Sequence, residues 1–240
     1  MCNKHKQLKE NLNLMTVPEK MARVAEVPDG DVHTIRADWD EEGVYFYQAY
    51  SQKIADFALE TGNFGGEGWN PERMSWIKPS FGWMLYRAGY GSKDRNQERI
   101  LRIKLSHSVL AEILTNCCLA SSAQMSGDPC RVQWDPERDL AASQMDKRGQ
   151  SKEPRKMENV RSIQIGISKE FSIQRVAKLN ISDVTDLARA VGEAHNAQTE
   201  EDCRSMMSAL AERLPLERPY QPRIPEEKLR ELKLSSSSVE

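Results

Sequence analysis

The chain has 240 residues, of which 39% are apolar and 29% are charged, and its formal net charge is -2 at pH 7. This length and composition suit one large domain with a real but modest core. The near-neutral charge argues against a protein that coats nucleic acid by bulk electrostatics, and no stretch reaches the roughly 18 to 20 apolar residues that a membrane span needs.

The predicted domain occupies residues 31–214. Residues 1–30 have few apolar anchors and are predicted to form a mobile leader. Four prolines between 215 and 225 and a run of serines near the end predict a Pro- and Ser-rich tail over residues 215–240. The charged segment Gly127 to Glu158 is predicted to be an exposed loop with one strand, Cys130 to Trp134, embedded in it.

The first elements of the domain have clear sequence signals. Val32 to Ala37 and Val44 to Tyr50 are predicted strands, and the acidic turn Asp38 to Gly43 between them indicates a hairpin. Ser51 then caps a predicted helix that ends at Gly62.

Strands and helices are also predicted after residue 100, from residue alternation and helix caps. Ile100 to Leu105 alternates as a strand does, and Ser106 or Ser108 caps the next helix. Arg161 to Ile167 places three isoleucines on one face of a strand. Two helices close the domain, at about Asp183 to His195 and Glu200 to Leu214. Because the strands alternate, the pattern predicts a single-domain α+β fold with a mainly antiparallel sheet flanked by helices.

Aromatic residues are concentrated in one part of the chain. Twelve of the sixteen fall between Tyr45 and Tyr90, and Gln48 is a polar residue among them. A buried glutamine must be hydrogen-bonded. Gln48 therefore either satisfies a main-chain or Tyr hydroxyl partner or orients a ligand, while Tyr47 is a candidate stacking residue.

The segment Ser75 to Gly89 is the most unusual in the chain. Pro79 suits the first turn of a helix, which places Lys78 at a helix N-terminus. A cation there is mildly unfavourable unless an anion lies between it and the helix. A phosphate or carboxylate would resolve the conflict, with the Ser80 hydroxyl and nearby amides as donors.

This predicted helix has two distinct faces. Four residues form an apolar stripe, namely Phe81, Met84, Leu85 and Ala88. Ser80, Trp83 and Arg87 lie on a neighbouring face, where the indole could carry a base or a nicotinamide ring. In the alternative interpretation Trp76 and Trp83 belong to the core, Lys78 is solvated, and Arg87 caps carbonyls at the helix end.

Charge is segregated along the chain. Residues 71–105 contain eight basic and three acidic side chains, whereas residues 31–70 contain two basic and eight acidic ones. A basic aromatic segment suits an anionic ligand, although two solvated faces that attract each other would give the same pattern.

A second candidate segment is Arg131 to Arg138. A strand is predicted to end at Trp134, and Asp135-Pro136 then turns the chain, which presents Glu137 at the lip of the turn. Glu137 is either a catalytic carboxylate or an acidic residue in an exposed turn.

The sequence lacks the motifs of several common nucleotide-binding and metal-binding sites. The glycine-rich stretch Gly62 to Gly68 lacks a following Gly-Lys-Ser/Thr, and the four histidines are scattered. The five cysteines form no Cys-x-x-Cys pair. We therefore expect no metal site, no membrane partner and a reducing, cytoplasmic or nuclear location.

Six separated motifs resemble the family catalogued as domain of unknown function 4291. They are Ile35 to Asp38, Tyr47 to Ser51, Met74 to Phe81 with Tyr86-Arg87, Val132 to Arg138, Arg161 to Gly166 and Glu217 to Tyr220. They occur in order over about residues 32–222. The resemblance implies a family but no activity.

A weaker resemblance is to ADP-ribosyltransferases, in which a strand bearing His or Arg leads into a helix that ends at Gly before a loop over NAD. Here Val44 to Ser51 leads into the helix that ends at Gly62, with Gln48 in the strand, and no Ser-Thr-Ser strand is recognisable. The resemblance implies NAD as cofactor and Glu137 as the carboxylate that stabilises an oxocarbenium-like ribose.

Together these observations predict a protein that binds a phosphate-containing nucleotide, NAD first among them, as an ADP-ribosyltransferase-like enzyme or pseudo-enzyme. The predicted site has Lys78, Ser80 and Arg87 on the phosphates, Trp83 or Tyr47 stacking, and Gln48 and Glu137 as catalytic groups. The alternative is a non-catalytic module that binds single-stranded RNA or a phosphorylated partner through the same surface.

Overall fold

A computed structural model describes residues 33–122, 128–168 and 180–234. The predicted leader lies outside these residues. The elements are β1 (Ile35–Ala37), β2 (Gly43–Tyr50), α1 (Gln52–Thr61), β3 (Ser75–Ile77), α2 (Phe81–Ala88), β4 (Arg99–Ser106), α3 (His107–Thr115), β5 (Cys117–Leu119), β6 (Cys130–Met145), β7 (Lys152–Ile167), β8 (Asn180–Asp183), α4 (Thr185–His195), α5 (Glu200–Leu210), β9 (Arg218–Tyr220) and α6 (Glu226–Glu231). The prediction of an α+β fold is confirmed.

The strands form two larger sheets that meet at one point. One sheet has the order β2-β4-β8, and the other has the order β3-β7-β6-β5, with only the β5–β6 pair parallel. Between them, Tyr47 N donates to Lys78 O at 2.7 Å, and Lys78 N donates to Tyr47 O at 3.2 Å. This bridge links β2 to the residue that follows β3.

Helices pack on both faces of the sheets. Because successive strand residues point to opposite faces, β4 sends Leu101, Ile103 and Leu105 into one core and Ile100 into the other. The first core is completed by α1, α3 and α6, and the second by α2, α4 and α5. Among the described helices none is long and apolar enough to cross a membrane.

The local capping signals are confirmed in part, since Ser51 occupies the position before α1 but its side chain makes no capping hydrogen bond. Gly62 ends α1 in the left-handed conformation, with φ of 70°, which glycine adopts without a Cβ clash. Ser106 caps α3, where its Oγ accepts a hydrogen bond from Val109 N at 3.3 Å.

The predicted hairpin between the first two strands is wrong. β1 pairs with β9, so that Ile35 lies opposite Tyr220, while β2 pairs with β4. Only an isolated bridge between Trp39 and Val44 spans the acidic turn. A short strand with an acidic turn after it carries no information about a partner that lies far along the chain.

The predicted exposed loop at Gly127 to Glu158 is also wrong in its described part. Most of it belongs to β6 and β7, which are 16 residues each and pair with each other. The ladder shifts register between Pro136 and Arg138, so the proline is accommodated at an irregularity and does not turn the chain. Lys147 and Arg148 at the tip of this hairpin are exposed, which explains the loop-like composition of this part of the chain.

The fold continues beyond Leu214, where the sequence placed the end of the domain. β9 completes a ladder with β1, and Leu232 is fully buried in the first core. Trp134 Nε1 donates to the main-chain oxygen of Leu232 at 3.0 Å. Residues up to Leu234 are therefore part of the domain.

We expect Leu232→Ala to lower the free energy of unfolding by about 2 to 5 kcal/mol, because it removes a buried side chain and leaves a cavity. The matched control is Arg230→Ala, which removes an exposed ion pair with Glu226 and should change stability by no more than about 0.5 kcal/mol. Urea denaturation measures both. Equal stability of the two variants would contradict the inclusion of α6 in the domain.

Candidate functional site

The junction between β3 and α2 organises the site. Ser80 caps α2, since its Oγ accepts a hydrogen bond from Trp83 N at 3.0 Å. The helix therefore begins at Phe81, after Pro79. Lys78 lies in the bridge to Tyr47 and not in the first helical turn, which corrects the predicted position.

Lys78 is a buried lysine, with 8% of its surface exposed. Its Nζ donates to the main-chain oxygen of Trp76 at 3.0 Å and lies 5.3 Å from the centroid of the Trp83 ring. No carboxylate in the described ranges forms an ion pair with it. Burial lowers the pKa of Lys78 to about 7, with a further contribution from Arg87 and an opposing one from Asp135.

Gln48 donates a hydrogen bond to the same main-chain oxygen as Lys78, that of Trp76. Its Nε2 donates to Ser75 Oγ at 2.7 Å and to Trp76 O at 3.1 Å, so the Trp76 oxygen accepts from both Gln48 and Lys78. Gln48 Oε1 is buried and has no hydrogen-bond partner in the part of the chain that the structure describes. An unsatisfied buried acceptor costs about 1 to 3 kcal/mol, so this oxygen is suited to a donor on a ligand.

Trp83 and Arg87 complete this group on α2. Trp83 is largely buried, as the core interpretation predicts, yet its ring contacts Lys78 and lies 6.4 Å from the ring of Tyr86. Arg87 is exposed, and no ion pair or hydrogen bond of its side chain is found within the described residues. We call Gln48, Lys78, Trp83 and Arg87 the Lys78 patch.

Ser80 and Glu137 lie in a different environment, beneath the start of α2. Ser80 Oγ donates to Glu137 Oε1 at 2.6 Å, and Phe81 N donates to Glu217 Oε1 at 2.6 Å. The donors expected to hold a phosphate therefore already serve two carboxylates of the protein itself. Glu137 is 5% exposed within β6, which corrects its predicted position on an exposed turn.

Glu137 and Glu217 form a buried acid pair. Burial raises the pKa of Glu137, and it raises the pKa of Glu217 well above its usual range, with Glu137 as the next cause. The buried Arg36 opposes both effects. Because two nearby carboxylates resist joint ionisation, the pair retains a proton more readily than an exposed acid would.

The Tyr47 side chain points away from the Lys78 patch. It packs against the Phe81 ring at 4.9 Å and lines a cavity of about 190 Å³ together with Asp38 and Arg102. Burial raises the pKa of Tyr47 well above its usual value. Only the main chain of Tyr47 contacts Lys78, so Trp83 is the stacking candidate that the structure places next to the lysine.

Much of the segregated charge is neutralised within the fold. Arg102 pairs with Asp38 at 2.5 Å, Lys104 pairs with Asp40 at 3.0 Å, and Arg99 pairs with Asp56 at 2.9 Å. The mutual attraction of the two segments therefore explains part of the pattern. Lys78 and Arg87, like the exposed Lys93 and Arg95, form no ion pair with a carboxylate among the described residues.

The family described as Domain of unknown function (DUF4291) matches residues 34–220. The chain belongs to this family. Neither the search of curated proteins nor the search of solved structures returned a match. The family match spans both the Lys78 patch and the acid pair. The resemblance to ADP-ribosyltransferases stays a prediction, because none of these comparisons supports it.

Sequence reasoning missed Glu217 and Arg36. Glu217 begins one of the six DUF4291 motifs, but it falls in the predicted tail. Its contact with Phe81 N, 136 positions earlier, was therefore not expected. Its presence within a motif was the available signal. Across the described ranges no group of three His, Cys, Asp or Glu residues is placed to hold a metal ion.

The acid pair gives stability a defined pH dependence. Because the native pKa of Glu217 lies above its unfolded value of 4.5, the native state binds the proton more tightly, and the free energy of unfolding falls as pH rises above about 4.5. We expect the free energy of unfolding of Glu217→Gln to decrease less steeply with pH than that of the wild type. The difference in slope should be at most about 1.4 kcal/mol per pH unit.

Urea denaturation across the acidic to neutral range measures this difference, with the exposed Glu60→Gln as control. Parallel stability curves for wild type and Glu217→Gln would rule out a raised pKa at this position.

Proposed function

We propose that this DUF4291 protein binds a phosphate-bearing nucleotide at the Lys78 patch. The observation that carries the proposal is the pair of neighbouring cations, Lys78 and Arg87, beside an indole ring. Arg99, Arg102 and Lys104 are paired with carboxylates, whereas Lys78 is buried without an ion pair in the described residues.

Electrostatics favours an anion at this position. Burial and the adjacent guanidinium both disfavour the charged form of Lys78 and lower its pKa. A bound phosphate would offset the repulsion and raise that pKa again. Binding near neutral pH should therefore be coupled to proton uptake by Lys78.

The other members of the patch suit different parts of a nucleotide. Arg87 has the planar donor geometry that phosphate oxygens accept in pairs. Trp83 is largely buried, so a base would contact the small exposed part of its ring, and Gln48 Oε1 can accept from a hydroxyl or amide donor. Ser80 contributes indirectly, because its hydroxyl caps α2 and holds Glu137.

NAD is the nucleotide to test first, on the strength of the weaker sequence resemblance. In an ADP-ribosyl transfer Glu137 would be the carboxylate that stabilises the ribose cation. Glu137 lies beneath the start of α2, with its carboxylate engaged by Ser80 and by Arg138 N at 2.7 Å. The geometry supports nucleotide binding more directly than it supports transfer.

A second candidate function is binding of single-stranded RNA. A cleft of about 850 Å³ lies between the end of α2, the tip of the β6–β7 hairpin and α4, and Tyr86 is part of its lining. The Tyr86 ring also contacts Trp83 of the patch. Five basic residues line the cleft, namely Lys93, Lys147, Arg148, Lys152 and Arg189, against three acidic ones, Asp146, Glu153 and Glu193. A longer polyanion could follow this surface.

We expect NAD or ATP to raise the melting temperature, since a ligand at roughly 100 times its Kd stabilises the native state by about 2.7 kcal/mol. The double variant Lys78→Ala, Arg87→Ala should lose the shift, and Lys53→Ala, a change at an exposed lysine, should keep it. Thermal melts with NAD, ATP and short oligonucleotides make the comparison.

The absence of a shift with every nucleotide, or an undiminished shift in the double variant, would overturn the proposal. A shift produced only by oligonucleotides, and reduced by Lys147→Ala with Arg148→Ala, would support the RNA-binding candidate instead.

Glu137→Gln tests the transfer step separately. If NAD binds and is cleaved, the variant should release nicotinamide at least about 100-fold more slowly, because the neutral amide cannot stabilise the ribose cation. Glutamine retains an oxygen that can accept from Ser80, and a thermal melt verifies the fold. Release at the wild-type rate would reject Glu137 as the catalytic carboxylate.

A further inference from the structure

We propose that Lys78 is a nucleophilic amine that forms an imine with a small aldehyde or ketone carrying a carboxylate or phosphate group. The inference rests on the anion-binding part of the proposed function and goes beyond it, because it assigns a covalent step and a substrate class to the same patch.

The surroundings of Nζ are those of a reactive amine rather than of a structural ion pair. Buried lysines in structural roles are usually paired with a carboxylate. Here the acceptor is a neutral main-chain oxygen, that of Trp76, and the ring of Trp83 covers another side. The amine is thus desolvated, and no carboxylate of the described residues is in direct contact with it.

Among the described residues, two charged groups on neighbouring elements influence the protonation of this amine. Arg87 of α2 disfavours the ammonium form, and Asp135 of β6 favours it. The Asp135 carboxylate accepts hydrogen bonds from Gln133, at 3.1 Å, and from Gln164, so it is already engaged. From β2, Tyr47 bonds Lys78 through its main chain only. With a pKa of about 7, a substantial fraction of Lys78 is neutral at neutral pH.

The same groups select the substrate class. Arg87 is exposed on α2, close enough for its charge to lower the pKa of Lys78, and it can hold an anionic group. The Trp83 ring provides an apolar wall for a short carbon chain. Gln48 Oε1, the buried acceptor without a partner in the described residues, can accept from a hydroxyl of the substrate. A cation beside a desolvated lysine is a known way to activate an amine for imine formation.

The chemistry balances without a further reactant. The Nζ lone pair attacks the carbonyl carbon, a C–N bond forms, and the carbonyl oxygen becomes a hydroxyl. Loss of that oxygen as water, with the two protons that leave the nitrogen, breaks the C–O bond and leaves the imine. No electron is gained or lost.

The test uses the whole chain and two small aldehydes, anionic glyoxylate and neutral formaldehyde, each trapped with cyanoborohydride and mapped by peptide mass. At about pH 7 we expect glyoxylate to alkylate Lys78 at least about tenfold faster than the exposed Lys53 and Lys93, because ordinary lysines are almost fully protonated there. Lys78→Arg should remove the fast site. Arg87→Ala should lower the rate with glyoxylate more than the rate with formaldehyde.

The outcomes separate this inference from the nucleotide proposal. Fast labelling of Lys78 by glyoxylate, without stabilisation by any nucleotide, would support the reactive amine and overturn nucleotide binding. Stabilisation by nucleotides, with Lys78 no more reactive than Lys93, would overturn the reactive amine alone. A preference for formaldehyde over glyoxylate at Lys78 would also overturn it, since Arg87 would then recruit no anion.

Discussion

The pair of main-chain hydrogen bonds between Tyr47 and Lys78 is the contact on which the site depends. It joins the two larger sheets and fixes the backbone of Lys78 one residue after β3. The Lys78 side chain then donates to Trp76 O and remains under the Trp83 ring. A lysine at a free helix terminus would extend into water, whereas this one is held inside the fold, which is the cause of its lowered pKa.

At the start of α2, carboxylates of the protein itself occupy the positions where an external anion could bind. A helix N-terminus attracts anions, and here Glu217 and the Ser80–Glu137 pair occupy that position. Arg36 offsets part of the resulting negative charge. Because Phe81 N and Trp83 N at the start of the helix already donate to Glu217 and Ser80, affinity of the patch for an external anion must come mainly from side chains, above all Arg87 and Lys78. The Lys78 patch and the acid pair thus serve different purposes.

Local sequence patterns predicted local structure well. Ser106 and Gly62 mark helix ends because capping depends on residues within one turn, and the stripe Phe81, Met84, Leu85 and Ala88 is buried as its spacing indicates. Errors arose where partners are distant. The pairing of β1 with β9 and the burial of Leu232 involve contacts across most of the chain, and the β6–β7 hairpin extends beyond the apolar pattern that usually reveals a strand.

The sequence by itself determined the family, the α+β class and the residue types from which an anion site could be built, because motifs, periodicity and caps are properties of neighbouring residues. Only the tertiary structure decided which of those residues meet. It brought the Gln48 and Lys78 side chains to the Trp76 oxygen, placed the Trp83 ring against Lys78, and moved Glu137 to a buried pair with Glu217. Burial and the charge of spatial neighbours control protonation, and neither is a property of position along the chain.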